Sequence, residues 1–126
     1  MRTCVELRGS ISVAHKPSFS PAWGRVHGHD YIITAAICRE GFHDVVVDAG
    51  EAGERFRQLL GRMDGKYLAS SAERVNLPEG EIYVVPCNAA GLSGECLAKH
   101  IADLLGASWV RVCESGYGAP CFFYER

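Results

Sequence analysis

The chain has 126 residues, 48% hydrophobic and 22% charged, a composition that builds one folded domain with its own core and excludes a disordered chain. Its formal charge is −2 at pH 7 with no block of like charge, so neither nucleic acid nor an anionic membrane is the expected partner; a small molecule or another protein is. The opening MRTCVELRGSISVAHK is broken by Glu6, Arg8 and Ser10, lacks the apolar stretch of a signal peptide, and no later run approaches a membrane span, so the expected location is the cytoplasm.

From Val5 the odd positions Val5, Leu7, Ile11 and Val13 are apolar and the even ones mostly polar, the period of a half-buried strand, and His15 falls on the same apolar face. A loop with Pro17, Ser18, Ser20, Pro21 and Gly24 leads to a second strand over 27–38, rich in β-branched and aromatic residues from Tyr31 on, and the two are expected to pair antiparallel. VVVDAG at 45–50 ends in Asp48, a helix N-cap, after which Phe56, Leu59, Leu60 and Met63 recur at helical spacing until Gly65. Residues 66–91 read mostly as loop around a short strand over 82–86. Ser93 caps a second helix with Leu97, Ile101, Leu104 and Leu105 on one stripe, stopped by Gly106. Strands over 109–115 and 120–126 close the chain across the turn GYGA. The order ββααββ without repeat or linker gives a single α+β domain over 1–126.

Six cysteines, at 4, 38, 87, 96, 113 and 121, form no CxxC pair, which argues against a cysteine zinc knuckle or a thioredoxin motif. Most are expected as small buried side chains; Cys113 and Cys121, flanking a turn, are the pair placed to bridge. Disulfides inside cells are chiefly a feature of hyperthermophiles.

The stretch AWGRVHGHDY at 22–31 carries the chemistry. On a strand, residues i and i+2 share a face, so His27 and His29 project together, and pairing of the first two strands brings His15 beside them. Three neutral imidazoles with an open fourth position describe a catalytic zinc site; the competing reading is a set of surface or hydrogen-bonded histidines. In WVRVCES, Val110, Val112 and Glu114 share a face, which places a carboxylate at the end of an apolar stripe, either in a pocket where it can bind a ring offering two parallel N–H donors or at a strand end that has reached solvent.

VAH at 13–15, GRVHGHDY at 24–31, VVDAG at 46–50, MDGKYL at 63–68, LSGECLAKHI at 92–101 and CES at 113–115 resemble, in order and spacing, the 6-pyruvoyl-tetrahydropterin synthase and 6-carboxy-tetrahydropterin synthase (QueD) family over nearly the whole chain. The resemblance implies the tunnelling fold, or T-fold, an antiparallel ββααββ sheet with two helices on one face. It also implies homo-oligomers, trimers that pair into hexamers, with active sites at subunit interfaces. It implies zinc held by His15, His27 and His29, a pterin ring anchored by Glu114, and Ser93 near that ring. Where the family has its cysteine base, four residues before the first histidine of HGH, this chain has Trp23; where the family has an Asp-His pair, it has Asp64 and Gly65. An indole and a glycine accept no proton. Asp64 is the one acid–base residue kept, and no glutamate replaces the cysteine as it does in members that cleave the side chain.

The implied function is a zinc-dependent lyase acting on 7,8-dihydroneopterin triphosphate or a related pterin with an atypical base. Lys16, Arg25, Lys66 and Arg74 are candidates for the triphosphate, and Trp23 for stacking on the ring. The alternatives are a pterin- or purine-binding member with weak or no catalysis, and a zinc-containing scaffold in which Trp23 plugs the pocket.

Overall fold

A computed structural model describes residues 1–126. The alternation in the first forty residues builds two long strands, β1 (Arg2–His15) and β2 (His27–Glu40), paired antiparallel from Arg2↔Glu40 to His15↔His27. Ile11 and Val13 of β1 and Tyr31, Ile33 and Ala35 of β2 all point to one face and are buried, as the period of two requires. That face is covered by α1 (Ala49–Met63) and α2 (Gly94–Leu105).

Helix α1 begins where the Asp48 carboxylate accepts the Glu51 N–H at 3.0 Å and buries Phe56, Leu59, Leu60 and Met63. It lies close to β1 because position 9 is glycine: a Cβ there would stand 2.6 Å from Leu60 Cδ1. Ser93 caps α2 by accepting the Cys96 N–H at 3.1 Å, and Gly106 ends it at φ +67°, a conformation glycine adopts without steric cost. Leu97 and Ile101 are buried as expected, but Leu104 is 47% exposed; the buried stripe of α2 runs through Ala98, Ala102 and Leu105 instead.

The remaining strands are β3 (Tyr67–Ser70), β4 (Ile82–Val85), β5 (Trp109–Glu114) and β6 (Cys121–Glu125), in one sheet of order β4-β3-β1-β2-β5-β6. The α+β class holds, with two differences from the sequence reading. β3 lies inside the segment read as loop, so the chain order is ββαββαββ. β3 also runs parallel to β1 and to β4, so the sheet is mixed and not wholly antiparallel. β3 has only four residues and all four are buried, which removes the alternation that would have marked it.

All six cysteines are bridged: Cys4–Cys38, Cys87–Cys96 and Cys113–Cys121. The last spans the turn at which the sequence left a bridge open; together the three overturn the expectation that most of the cysteines are small buried thiols. Cys4 and Cys38 are direct partners in the β1–β2 register, which spacing alone does not disclose. No helix is long and apolar enough to cross a membrane.

Candidate metal centre

His15 and His27 form the last rung of the β1–β2 ladder, and His29 is two residues further along β2 on the same face. Their ring centroids lie 4.7 to 5.1 Å apart, and one ligand atom from each falls within 4.8 Å of the others. Three donors are therefore gathered by nothing more than strand pairing and pleat.

Their orientation is set from behind. His15 Nδ1–H donates to the Leu92 carbonyl at 3.0 Å, and His27 Nδ1–H donates to the Arg25 carbonyl at 2.7 Å. A carbonyl can only accept, so both protons sit on Nδ1 and both neutral rings present a bare Nε2. Those two Nε2 atoms face each other at 3.1 Å. Two lone pairs at that distance repel unless a cation lies between them, so the donor set fits a metal ion.

The electrostatics favour the neutral form of His15 and His29. His15 is only 4% exposed, and burial, opposed by its hydrogen bond to Leu92 and reinforced by His27 and His29, lowers its pKa to about 4. Burial lowers that of His29 too, against the pull of Glu114. A base that is unprotonated at neutral pH is ready to coordinate.

Glu114 ends β5 with Oε1 3.7 Å from His29 Nε2, both side chains largely buried. Its carboxylate therefore lies beside the histidines, not at a strand end in free solvent. Across the β2–β5 ladder its partner is Tyr31, whose ring packs 5.5 Å from that of His29 and 6.2 Å from that of His15. The Tyr31 hydroxyl is buried without a hydrogen-bond partner, and burial, then the Glu114 charge, raise its pKa far above the ordinary phenol range. It is a permanent donor with nothing in the chain to receive its proton. Sequence reasoning passed over Tyr31, although its place two residues after His29 put it on the same face.

Trp23 stands at the rim, 62% exposed, its ring 6.3 Å from that of His27; it does not plug the site. Asp64 and Ser93 are not gathered with the histidines. Asp64 follows α1 at the surface, where Oδ1 accepts the Ser12 N–H at 2.8 Å on the free edge of β1. The Ser93 oxygen is the α2 cap, with Cys87 Sγ 3.9 Å away. Lys16, Arg25 and Arg74 are exposed. Lys66 lines an open cleft with Ser12, Ala14, Gly28, Asp30 and Glu81, which touches His29 but is not lined by His15, His27 or Glu114.

Residues 5–115 match a family model described as 6-pyruvoyl tetrahydropterin synthase. A catalytic-residue mutant of the Plasmodium vivax 6-pyruvoyltetrahydropterin synthase is 15% identical with a TM-score of 0.76, covering 100% of this chain and 98% of that one. The Plasmodium falciparum enzyme is 14% identical with a TM-score of 0.71, covering 99% of each chain. That of Caenorhabditis elegans is 16% identical with a TM-score of 0.65, covering 100% of this chain and 96% of that one. The shared architecture is the tunnelling fold. No curated protein matches the chain.

Proposed function

The chain belongs to the 6-pyruvoyl tetrahydropterin synthase family, and from that premise we propose that it is a zinc-dependent lyase acting on 7,8-dihydroneopterin triphosphate or a closely related pterin. The observation that carries the reading is the pair of bare Nε2 atoms 3.1 Å apart, which with His29 offers three imidazole nitrogens. Such a set suits zinc over the oxygen-seeking magnesium and calcium and leaves a fourth position open. Zinc bound there would polarise a substrate oxygen and lower the pKa of the protons to be moved.

The chain's own residues supply the rest. Glu114, beside His29, accepts two parallel N–H donors from the edge of the pterin ring. Tyr31 donates its buried hydroxyl proton to an oxygen or nitrogen of the ligand. Trp23 offers an indole face at the rim, Ser93 keeps a hydroxyl proton to donate, and Lys66 with Lys16, Arg25 and Arg74 attracts the triphosphate. Asp64 retains one carboxylate oxygen outside its bond to Ser12 and serves as the acid–base group. It does so in a site completed by a second copy joined along the edge of β1, which pairs with β3 only at Ala14↔Tyr67 and leaves a long unpaired stretch. A trimer or a hexamer of the chain is the assembly proposed.

A second reading, a pterin binder without turnover, is favoured by one observation: Trp23 and Gly65 accept no proton, and Asp64 is already engaged by Ser12. Incubating zinc-loaded protein with 7,8-dihydroneopterin triphosphate and weighing the products separates the two. Loss of triphosphate with a 6-pyruvoyl, 6-carboxy or 6-hydroxymethyl product supports the lyase; unchanged substrate with measurable pterin binding supports the binder. Absence of both overturns both. In either supporting case Glu114→Gln should weaken pterin binding roughly tenfold to a hundredfold, the worth of a charge-assisted hydrogen bond, and leave the metal content unchanged.

A further inference from the structure

The Leu92 carbonyl that turns His15 toward the metal position belongs to the segment between β4 and α2, which has no regular structure of its own over residues 86–93. That segment is closed into a ring by the Cys87–Cys96 disulfide. Cys87 is buried at one foot of the ring, and Cys96 lies in the first turn of α2 at the other.

Inside the ring every turn of backbone leans on the metal end of the sheet. The Ala89 carbonyl accepts the Ser70 hydroxyl at 3.0 Å, and the Ala90 carbonyl accepts the Phe19 N–H at 3.2 Å. Gly91, at φ +106°, is pressed so close to the residues that follow β1 that a Cβ would collide with the Lys16 carbonyl oxygen. Leu92 follows, fully buried, with its carbonyl on His15 Nδ1–H. Cys87 is tied on its outer side to Ser71, whose hydroxyl donates to the Cys87 carbonyl and accepts its N–H.

We propose that the Cys87–Cys96 disulfide is a positioning element of the metal centre: it holds the Leu92 carbonyl against His15, which keeps the proton on Nδ1 and Nε2 aimed at the ion. This rests on the reading that His15, His27 and His29 hold a metal. Opening the bridge lets the ring relax, frees the Leu92 carbonyl from its fixed direction and costs affinity without removing a ligand. A dithiol reductant accomplishes this by giving two electrons and two protons: the S–S bond breaks, Cys87 and Cys96 become thiols, and the reductant closes to its own disulfide. Loss of an outer partner of a ligating histidine costs roughly 10- to 100-fold in metal affinity, and a bridge acting through that partner belongs at about the tenfold end of the same range. The centre is thereby redox-sensitive although no cysteine touches the ion.

The test is metal affinity, measured by competition of zinc with a chromophoric chelator, together with the visible spectrum of the cobalt(II)-substituted protein. The wild-type chain is compared with C87A/C96A and with C4A/C38A, whose bridge lies at the opposite end of the β1–β2 ladder. The expected result is about tenfold weaker binding and an altered cobalt spectrum for C87A/C96A, with C4A/C38A like the wild type. Equal affinity and spectrum in C87A/C96A would overturn the proposal while leaving the metal reading intact. A wild-type chain that binds no zinc overturns that reading and the proposal with it. Should C87A/C96A lack the wild-type far-ultraviolet circular dichroism, C4A/C38A/C113A/C121A, which keeps only this bridge, is titrated before and after reduction and alkylation with iodoacetamide. The same tenfold loss supports the proposal and no change overturns it.

Discussion

Two tyrosine–histidine neighbourhoods lie in this small domain and are finished differently. Between β4 and α2, the Tyr83 hydroxyl and His100 Nε2 are hydrogen-bonded at 2.7 Å, so a hydroxyl and a ring nitrogen satisfy each other. At the end of the β1–β2 ladder, the Tyr31 hydroxyl is buried without a partner, and the Nε2 atoms of His15 and His27 face each other across 3.1 Å. The residue types are the same, yet one neighbourhood is closed and the other is left with a surplus of acceptors at one place and an unused donor nearby. A histidine that stabilises a fold finds its partner in the chain; a set that leaves its valences open is completed from outside.

The largest break in the open neighbourhood is His27→Ala. His27 is only partly buried, so its loss should spare the fold while removing one of three donors. We expect bound zinc to fall from one ion per chain to near zero by elemental analysis after dialysis, a loss on the order of 4 kcal/mol, about a third of the binding free energy of a fully ligated zinc. Unchanged zinc content would remove His27 from the ligand set.

Next in size is a matched pair of substitutions that tests the comparison itself. Tyr83→Phe takes the hydrogen-bond partner from a part-buried nitrogen and should destabilise the protein by about 1 kcal/mol in urea unfolding. Tyr31→Phe in the metal-free protein deletes a hydroxyl that has no partner, and it should leave stability unchanged or raise it by up to about 1 kcal/mol. Opposite signs for the same chemical change would mark the two hydroxyls as structural and ligand-directed; a loss of the same size at both positions would show that Tyr31 has an internal partner.

The histidine cluster and most of the elements around it were legible in the sequence, whereas the contrast between the two tyrosines was not, and the illegible part has definite causes. Period-two patterning gave β1 and β2, and with them the convergence of His15, His27 and His29, because strand pairing needs no further information to bring them together. Asp48, Ser93 and Gly106 announced the helix boundaries through capping chemistry that is local. β3 was missed because a strand buried on both faces shows no alternation. The Cys4–Cys38 and Cys87–Cys96 bridges depend on the register of β1 against β2 and on how the β4–α2 segment folds back, neither of which is a property of spacing. The same holds for the carbonyls of Leu92 and Arg25: a backbone acceptor is present at every residue, so only the fold reveals which one sets the tautomer of a histidine. Asp64 and Ser93 stood at readable positions in the resemblance, but the structure shows their oxygens engaged by Ser12 and Cys96 N–H groups.

The smallest expected effect concerns the closed neighbourhood and its response to acid. Burial, reinforced by Arg62 and opposed by Asp103, lowers the pKa of His100 below its ordinary value of 6.5. The folded state therefore binds a proton on this ring less readily than the unfolded state does, so the unfolded state is favoured once protons compete. The stability gained from keeping His100 neutral is complete above pH 6.5 and drains away as the pH falls through the lowered folded value. In His100→Gln the amide oxygen can still accept from the Tyr83 hydroxyl but takes up no proton. Urea unfolding of metal-free protein at pH 7.5 and pH 5 should show a smaller loss of stability in the variant than in the wild type. The difference isolates His100, because the open histidines titrate alike in both chains. An identical loss would mean that His100 is solvated enough to titrate normally, and the closed neighbourhood would then be less sealed than its 2.7 Å hydrogen bond indicates.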